Sequence, residues 1–160
     1  TQGTLITRHI ADWPLGFYAH HALLARSPPL PDLLEGGPPS LADLAGHRWV
    51  GFDQSPAMVD GFRAAGLAVD RRFFSFRSDH QVVHLAAVRA GLGIGVVMVP
   101  LAQRLPELRP VLPGLPLPVL PVWLTAHREL RASARLRTVF DFLAEALAAW
   151  GRGDELPAPT

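Results

Sequence analysis

The stretch 78–100, S-D-H-Q-V-V-H-L-A-A-V-R-A-G-L-G-I-G-V-V-M-V-P, constrains the fold more than any other part of this chain. Its first half has the composition of an apolar helix. Gly91 suits the position just past that helix, and residues 94–99 then read as a strand with no polar side chain. A strand of that kind is buried on both faces, which implies a parallel sheet covered by helices. In such sheets ligands sit at the carboxyl ends of the strands, beside helix N-termini. The segment therefore predicts an α/β ligand-binding architecture.

The remainder alternates in the same way. Strands are predicted over 5–10, 14–19, 48–52, 72–76, 94–99 and 119–126 from apolar alternation or short apolar runs. Short helices are predicted over 20–25 and after Ser40, where Ser40 and Asp43 form a capping box with Asp in place of the usual Glu. A further helix over 57–65 closes at Gly66. The last helix begins near Ser133, and Leu136, Val139, Phe140, Leu143, Leu147 and Trp150 place one apolar face along it. Residues 101–121 are expected to hold a short helix and a Pro-rich connector, 27–39 to form a loop, and 151–160 a disordered tail. Alternating strands and helices give the α/β class, with 72–99 as a βαβ crossover of right-handed sense.

Composition removes several function classes. The 160 residues are 49% hydrophobic and 18% charged, enough for a packed core of one domain or two small lobes. The formal net charge of +1 leaves no electrostatic footprint for nucleic acid. With no cysteine there is no disulfide framework, thiolate metal site or cysteine nucleophile. No apolar run reaches the ~18 residues of a membrane span. The first residues lack the basic and apolar regions of a signal peptide. They also lack an initiator Met, so the chain is expected to begin inside a longer polypeptide.

Several residues could carry chemistry, each with a plainer role beside it. Gly91, Gly93 and Gly95 follow a helix and precede a strand, the reverse of a dinucleotide-binding loop, so they read as a helix stop and a backbone bend. His80 and His84 lie one helical turn apart, but two imidazoles fall short of a zinc site. One of them is expected to face a cleft and the other to pack or be solvated. Ser78 either caps the following helix, as Asp79 also could, or donates to a ligand carboxylate at the helix start. Asp53 follows the strand R-W-V-G-F and is either a site residue or a turn residue. Ser55 has no nucleophile-elbow context. No clustered acid, base and nucleophile can be assembled, so no enzyme is expected.

The order of these pieces resembles the effector-binding domain of LysR-type transcriptional regulators. L-I-T-R-H-I-A-D-W-P-L-G-F-Y-A-H-H-A-L-L-A resembles the strand pair entering that domain's second lobe. P-S-L-A-D-L-A-G-H-R-W-V-G-F is similar to its loop, helix and strand. F-R-S-D-H-Q-V-V-H-L-A-A-V-R-A-G-L-G-I-G-V-V-M-V-P resembles its helix, glycine and strand signature. V-W-L-T-A-H-R-E-L-R-A-S-A-R-L-R-T-V-F-D-F-L-A-E-A-L resembles the return strand and final helix.

The resemblance implies a type II periplasmic-binding-protein-like fold of two lobes joined by crossover strands, with a ligand between them. Residues 1–12 would be a first-lobe or crossover strand, 13–113 the second lobe, 114–150 the return strand and last helix of an incomplete first lobe, and 151–160 the tail. Ligand-binding positions carried over are Thr7, Phe52, Asp53, Arg77, Ser78 and His80. The implied partner is a small effector, a carboxylic acid or aromatic metabolite, bound without cofactor or metal. A carboxylate at Asp53 would disfavour a dianion and favour a ligand carrying a donor group. A cytoplasmic homodimer or higher oligomer is implied, reaching DNA only through a winged helix-turn-helix that this sequence does not contain. The apolar stripe of the last helix would lack its usual cover. An extracytoplasmic solute-binding protein of the same fold is the alternative.

Overall fold

The computed structural model describes residues 5–30, 40–127 and 133–154. Much of the predicted 27–39 loop and the tail beyond residue 154 lie outside them. In chain order the elements are β1 (Leu5–Trp13), β2 (Leu15–His20), α1 (His21–Leu24), α2 (Leu41–Ala45), β3 (Val50–Gly51), α3 (Ala57–Ala64), β4 (Phe76–Arg77), α4 (Gln81–Arg89), β5 (Gly95–Met98), α5 (Val99–Ala102), β6 (Leu108–Val111), β7 (Leu120–His127) and α6 (Ala134–Arg152). They form two compact units that part after Pro14 and before Val119.

The sheet unit holds β2 to β6 and the helices between them. β2 pairs antiparallel with both β5 and β6. β3 and β4 pair in parallel, Val50 with Phe76 and Gly51 with Arg77. Trp49 and Ile94 form a parallel bridge between these two groups, closed by Val50 N–H to Ile94 O at 2.7 Å and Ile94 N–H to Arg48 O at 2.8 Å. The strand order is therefore β4-β3-β5-β2-β6, with β5 joining the parallel part to the antiparallel part.

This corrects the expectation of an all-parallel sheet. The apolarity of residues 94–99 reports that both faces are covered, and says nothing of which way the neighbouring strands run. Ile94 and Val97 are buried, whereas Val96 and Met98 are half-buried. Val99 belongs to α5, because Pro100 suits the first turn of a helix, where its missing N–H costs nothing.

Two cores flank the sheet. Phe17, Leu44, Trp49, Met58, Phe62, Leu67 and Phe74 fill one, and Tyr18, Val50, Val88, Val97 and Leu108 belong to the other. Trp49 is fully buried. It packs edge-on against Phe17 and Phe62 at centroid distances of 5.5 and 5.2 Å, and its indole N–H donates to Leu44 O at 3.1 Å.

The glycine run has two separate causes. Gly91 follows α4 at φ +71°, a left-handed conformation that stops a helix without a Cβ penalty. Gly95 lets α4 lie against β5, since a Cβ there would stand 2.5 Å from Val88 Cγ2 and 3.0 Å from His84 Nε2. The bend expected between helix and strand is thus a close helix-to-strand approach.

Three predicted elements differ. The 72–76 strand is a 3-10 turn over Arg71–Phe73, pinned by the Asp70 carboxylate accepting from Arg72 N–H at 2.7 Å, followed by the two-residue β4. The 48–52 strand shortens to β3. Within the Pro-rich connector, Leu108–Val111 forms β6 on the sheet edge, where Pro110 is tolerated opposite Tyr18. The Ser40 capping box forms as expected, with Ser40 N–H to Asp43 Oδ2 at 2.8 Å and Asp43 N–H to Ser40 Oγ at 3.3 Å.

The ribbon unit is β1 paired antiparallel with β7, with a register shift between His9 and Ala11, and α6. Trp13 meets Trp150 edge-on at 4.7 Å, and a Cβ at Gly151 would collide with the Trp13 indole. Ala144 and Ala146 are buried in this unit, while Leu136, Val139 and Leu143 remain exposed. The expected stripe is therefore uncovered along its first half and packed near Trp150. Helix α6 runs on to Arg152 and ends at Gly153 with φ +85°, so residues 151–153 are not part of a disordered tail. Among the described residues no helix is long and apolar enough to cross a membrane.

Candidate functional site

The carboxyl ends of the parallel strands β3 and β4 lie side by side, and each releases a loop. Phe52 and Asp53 lead the first loop. Arg77 ends β4, and Ser78, Asp79 and His80 carry the second loop into α4. Ser78 N–H donates to Gly51 O at 3.0 Å, which continues the ladder by one residue and holds the loops together. Five of the six sequence-predicted positions thus meet at one edge of the sheet unit. Thr7 belongs to the ribbon unit, where it lies on β1 opposite Thr125.

The start of α4 differs from its prediction. The residue at the N-cap is His80, and no side chain caps the helix. Ser78 Oγ instead accepts from His80 N–H at 3.2 Å, and its own proton is left for another partner. Asp79 is turned towards the first loop, where its carboxylate accepts from the backbone N–H groups of Asp53, Gln54 and Ser55 at 3.1, 2.8 and 3.2 Å. The bonds from Gln54 and Ser55 are the main reason its pKa lies below the usual aspartate value, with a smaller contribution from the nearby Arg71 charge. The first N–H groups of α4 therefore remain available at the loop edge, carrying the positive end of the helix dipole.

Asp53 is not an open carboxylate. Its Oδ1 accepts from Arg71 Nη2 at 2.6 Å and Arg77 Nε at 3.2 Å, while Arg77 Nη1 donates to Arg71 O at 2.8 Å. The expected effect of Asp53 on a dianion therefore has to be weighed with the two guanidinium groups beside it. Arg71 and the loop-tying role of Asp79 were not foreseen. The sequence marks Asp79 only as a possible helix cap, and Arg71 reaches Asp53 across 18 residues, a pairing that no local pattern announces.

Behind the edge, His84 lies one turn into α4 and is 2% exposed. Phe52 packs on its ring at a centroid distance of 5.2 Å. Neither ring nitrogen makes a well-aligned hydrogen bond. Burial pushes its pKa below the ordinary histidine value, opposed more weakly by the neighbouring backbone of Gly51 and Val96. His80 is exposed, whereas His84 is packed. Among the described residues no cluster of potential ligands could hold a metal ion.

An apolar groove of about 500 Å³ lies elsewhere, in the ribbon unit, between Ile6, Leu124, Ala126, Leu136, Phe140 and Leu143. It contains none of the predicted site residues. It follows the exposed half of the α6 stripe, and Arg8, Thr125, His127, Arg137 and Asp141 also line it.

Removing the Asp79 carboxylate is expected to release the 53–55 loop. In Asp79→Ala the amides of Asp53, Gln54 and Ser55 should exchange with solvent faster than in the parent, while amides of β2 and β5 do not change. Hydrogen exchange followed by NMR checks this, and equal rates at all three amides would show that the loop is held by other contacts. The depressed pKa gives the same direction with pH: the tie is complete above the unfolded aspartate value of about 3.9 and weakens as acid protonates the folded carboxylate.

A mixed sheet with loops gathered at the carboxyl ends of parallel strands, beside an uncapped helix start, defines an α/β ligand-binding domain. The chain belongs to the LysR substrate binding domain family, whose profile matches residues 1–148. The fold is also similar to the regulatory domain of CrgA, a LysR-type transcriptional regulator from Neisseria meningitidis, at TM-score 0.63 and 23% identity over 89% of this chain and 69% of that one. The effector domain of the transcriptional regulator AmpR from Pseudomonas aeruginosa superposes at TM-score 0.62 and 19% identity, covering 94% of this chain and 68% of its own. The regulatory domain of AphB from Vibrio vulnificus superposes at 0.54 and 17% identity, covering 88% and 68%. Comparison with curated proteins returned no match. The family match sets aside the extracytoplasmic solute-binding alternative.

Proposed function

We propose that this chain is the metabolite-sensing part of a LysR-type regulator and that the β3/β4 edge of the sheet unit holds the acidic end of a small carboxylic acid. The observation that carries the reading is the uncapped start of α4 beside the Ser78 hydroxyl and Arg77. Helix N–H groups, a free hydroxyl proton and a guanidinium are all donors, and together they suit an anionic acceptor. Phe52 gives the same edge an apolar wall, and His80 is exposed at the mouth of the helix.

In this reading the protein performs no chemistry on its ligand. Occupancy shifts the balance between two homo-oligomeric arrangements, which requires that the ligand bind one of them better than the other. A winged helix-turn-helix elsewhere in the regulator reports that shift to DNA in the cytoplasm. Titration calorimetry of this protein against a panel of small carboxylates is expected to find at least one saturable binder. Ser78→Ala should weaken it by about 1 kcal/mol or more, the scale of one hydrogen bond to a charged group. No heat across the panel, with tight binding of a cationic or neutral metabolite, would defeat the anionic reading.

A further inference from the structure

We propose that Asp53 determines specificity by setting the ligand's charge at one: it holds Arg71 and Arg77 side by side as a fork for a single carboxylate. This rests on the ligand-binding reading of the β3/β4 edge and deepens it.

Both arginines are anchored to the same atom, Asp53 Oδ1, and Arg77 is tied to the backbone of Arg71 as well. These bonds use Arg71 Nη2 and Arg77 Nε and Nη1. Arg71 Nε and Nη1 and Arg77 Nη2 keep their protons free of hydrogen bonds among the described residues. The side chains are 61% and 34% exposed, so those protons can be reached. Arg71 and Arg77 carry two positive charges and Asp53 one negative, which leaves one positive charge. The Asp79 carboxylate adds a further negative charge that also acts on Arg71, from the side of the neighbouring loop, where it accepts from three N–H groups. The spare hydrogen-bonding capacity at this edge is mostly donor, and the fork of Arg71, Arg77 and Asp53 itself carries one positive charge to set against one carboxylate. Asp53 acts here as a positioning and charge-setting group and need not touch the ligand.

The test compares three small molecules of one shape on the isotope-labelled 160-residue chain: isobutyramide, isobutyrate and methylmalonate, which are neutral, singly and doubly charged. NMR follows the arginine Nε–H signals and the amides of residues 52–55 and 78–83. Isobutyrate is expected to bind about tenfold tighter than isobutyramide, the scale of one charge-assisted hydrogen bond, and methylmalonate to gain little over isobutyrate. Arg77→Gln should remove the preference of isobutyrate over isobutyramide, and Arg71→Gln reads the same ratio if the first variant does not fold. Asp53→Asn keeps the side-chain shape but raises the local charge by one, so methylmalonate should overtake isobutyrate by about tenfold. An unchanged ratio in Asp53→Asn, or an unchanged amide-to-acid ratio in both arginine variants, would overturn the proposal. Shifts at the loop amides without discrimination by charge would sink the fork and leave the ligand edge standing. No shift there with any of the three would sink both.

Discussion

Replacing Trp49 with alanine is expected to destabilise the sheet unit by about 3–5 kcal/mol, the range for deleting a fully buried large aromatic. Trp49 stands where the parallel and antiparallel parts of the sheet meet, and its backbone makes the bridge to Ile94. Its ring fills the space between Phe17 on β2 and Phe62 on α3. The surrounding groups cannot close over the gap, because Phe17, Phe62 and Phe74 are themselves packed against other rings. The Leu44 carbonyl would also lose its indole donor. Urea unfolding followed by far-UV circular dichroism measures the loss. Tryptophan fluorescence would not, because Trp13, Trp123 and Trp150 all lie in the ribbon unit. Trp123→Ala is the control. That side chain is 57% exposed, and its removal should cost about 0.5 kcal/mol or less, as for an ordinary surface substitution. Equal losses in the two variants would show that the core is not centred on Trp49.

Elements announced by local chemistry were legible in the chain. The Ser40 box, the Gly66 and Gly91 stops, the alternating β1 and the apolar face of α6 each rest on contacts within a few residues, and each has its counterpart in the fold. What failed was set by distant partners. Residues 72–76 carry an apolar, β-prone pattern, but Phe73 and Phe74 are drawn onto Phe62 and Trp49, and Asp70 closes a turn around them. β6 was hidden because Pro110 argues against a strand, and only the presence of β2 beside it supplies the pairing. The same division runs through the site. Asp53 and Ser78 stood out from a strand end and a helix start, whereas the set of positions 52, 53, 77, 78 and 80 came from the family resemblance. The partners that decide their chemistry, Arg71 for Asp53 and the 53–55 amides for Asp79, lie 18 to 26 residues away.

Acidification from pH 7.5 to 5.5 is expected to weaken the sheet unit, and His84 should account for much of the effect. Burial lowers its folded pKa, whereas in the unfolded chain it titrates near the ordinary value of about 6.5. The unfolded state therefore takes up a proton first. The contribution of neutral His84 is fully present above about pH 6.5 and is lost as pH falls below it, at up to about 1.4 kcal/mol per pH unit, until the folded form also protonates. His47 is buried and shifted in the same direction by desolvation, so it adds to the slope with the same sign. The lowered pKa values of Asp43, Asp79 and Glu107 act only in more acidic solution. Protonation at His84 would place a positive charge within the first turn and a half of α4, against the positive end of its dipole, and beside Phe52 and Gly95, where the backbone of Gly51 and Val96 offsets only part of the cost of burial. Thermal unfolding at the two pH values measures the loss, and His84→Leu should flatten most of it while His80→Leu, at an exposed position, should not. If the parent and His84→Leu show the same pH dependence, the proton is taken up elsewhere and α4 is not the part of the sheet unit that acid loosens.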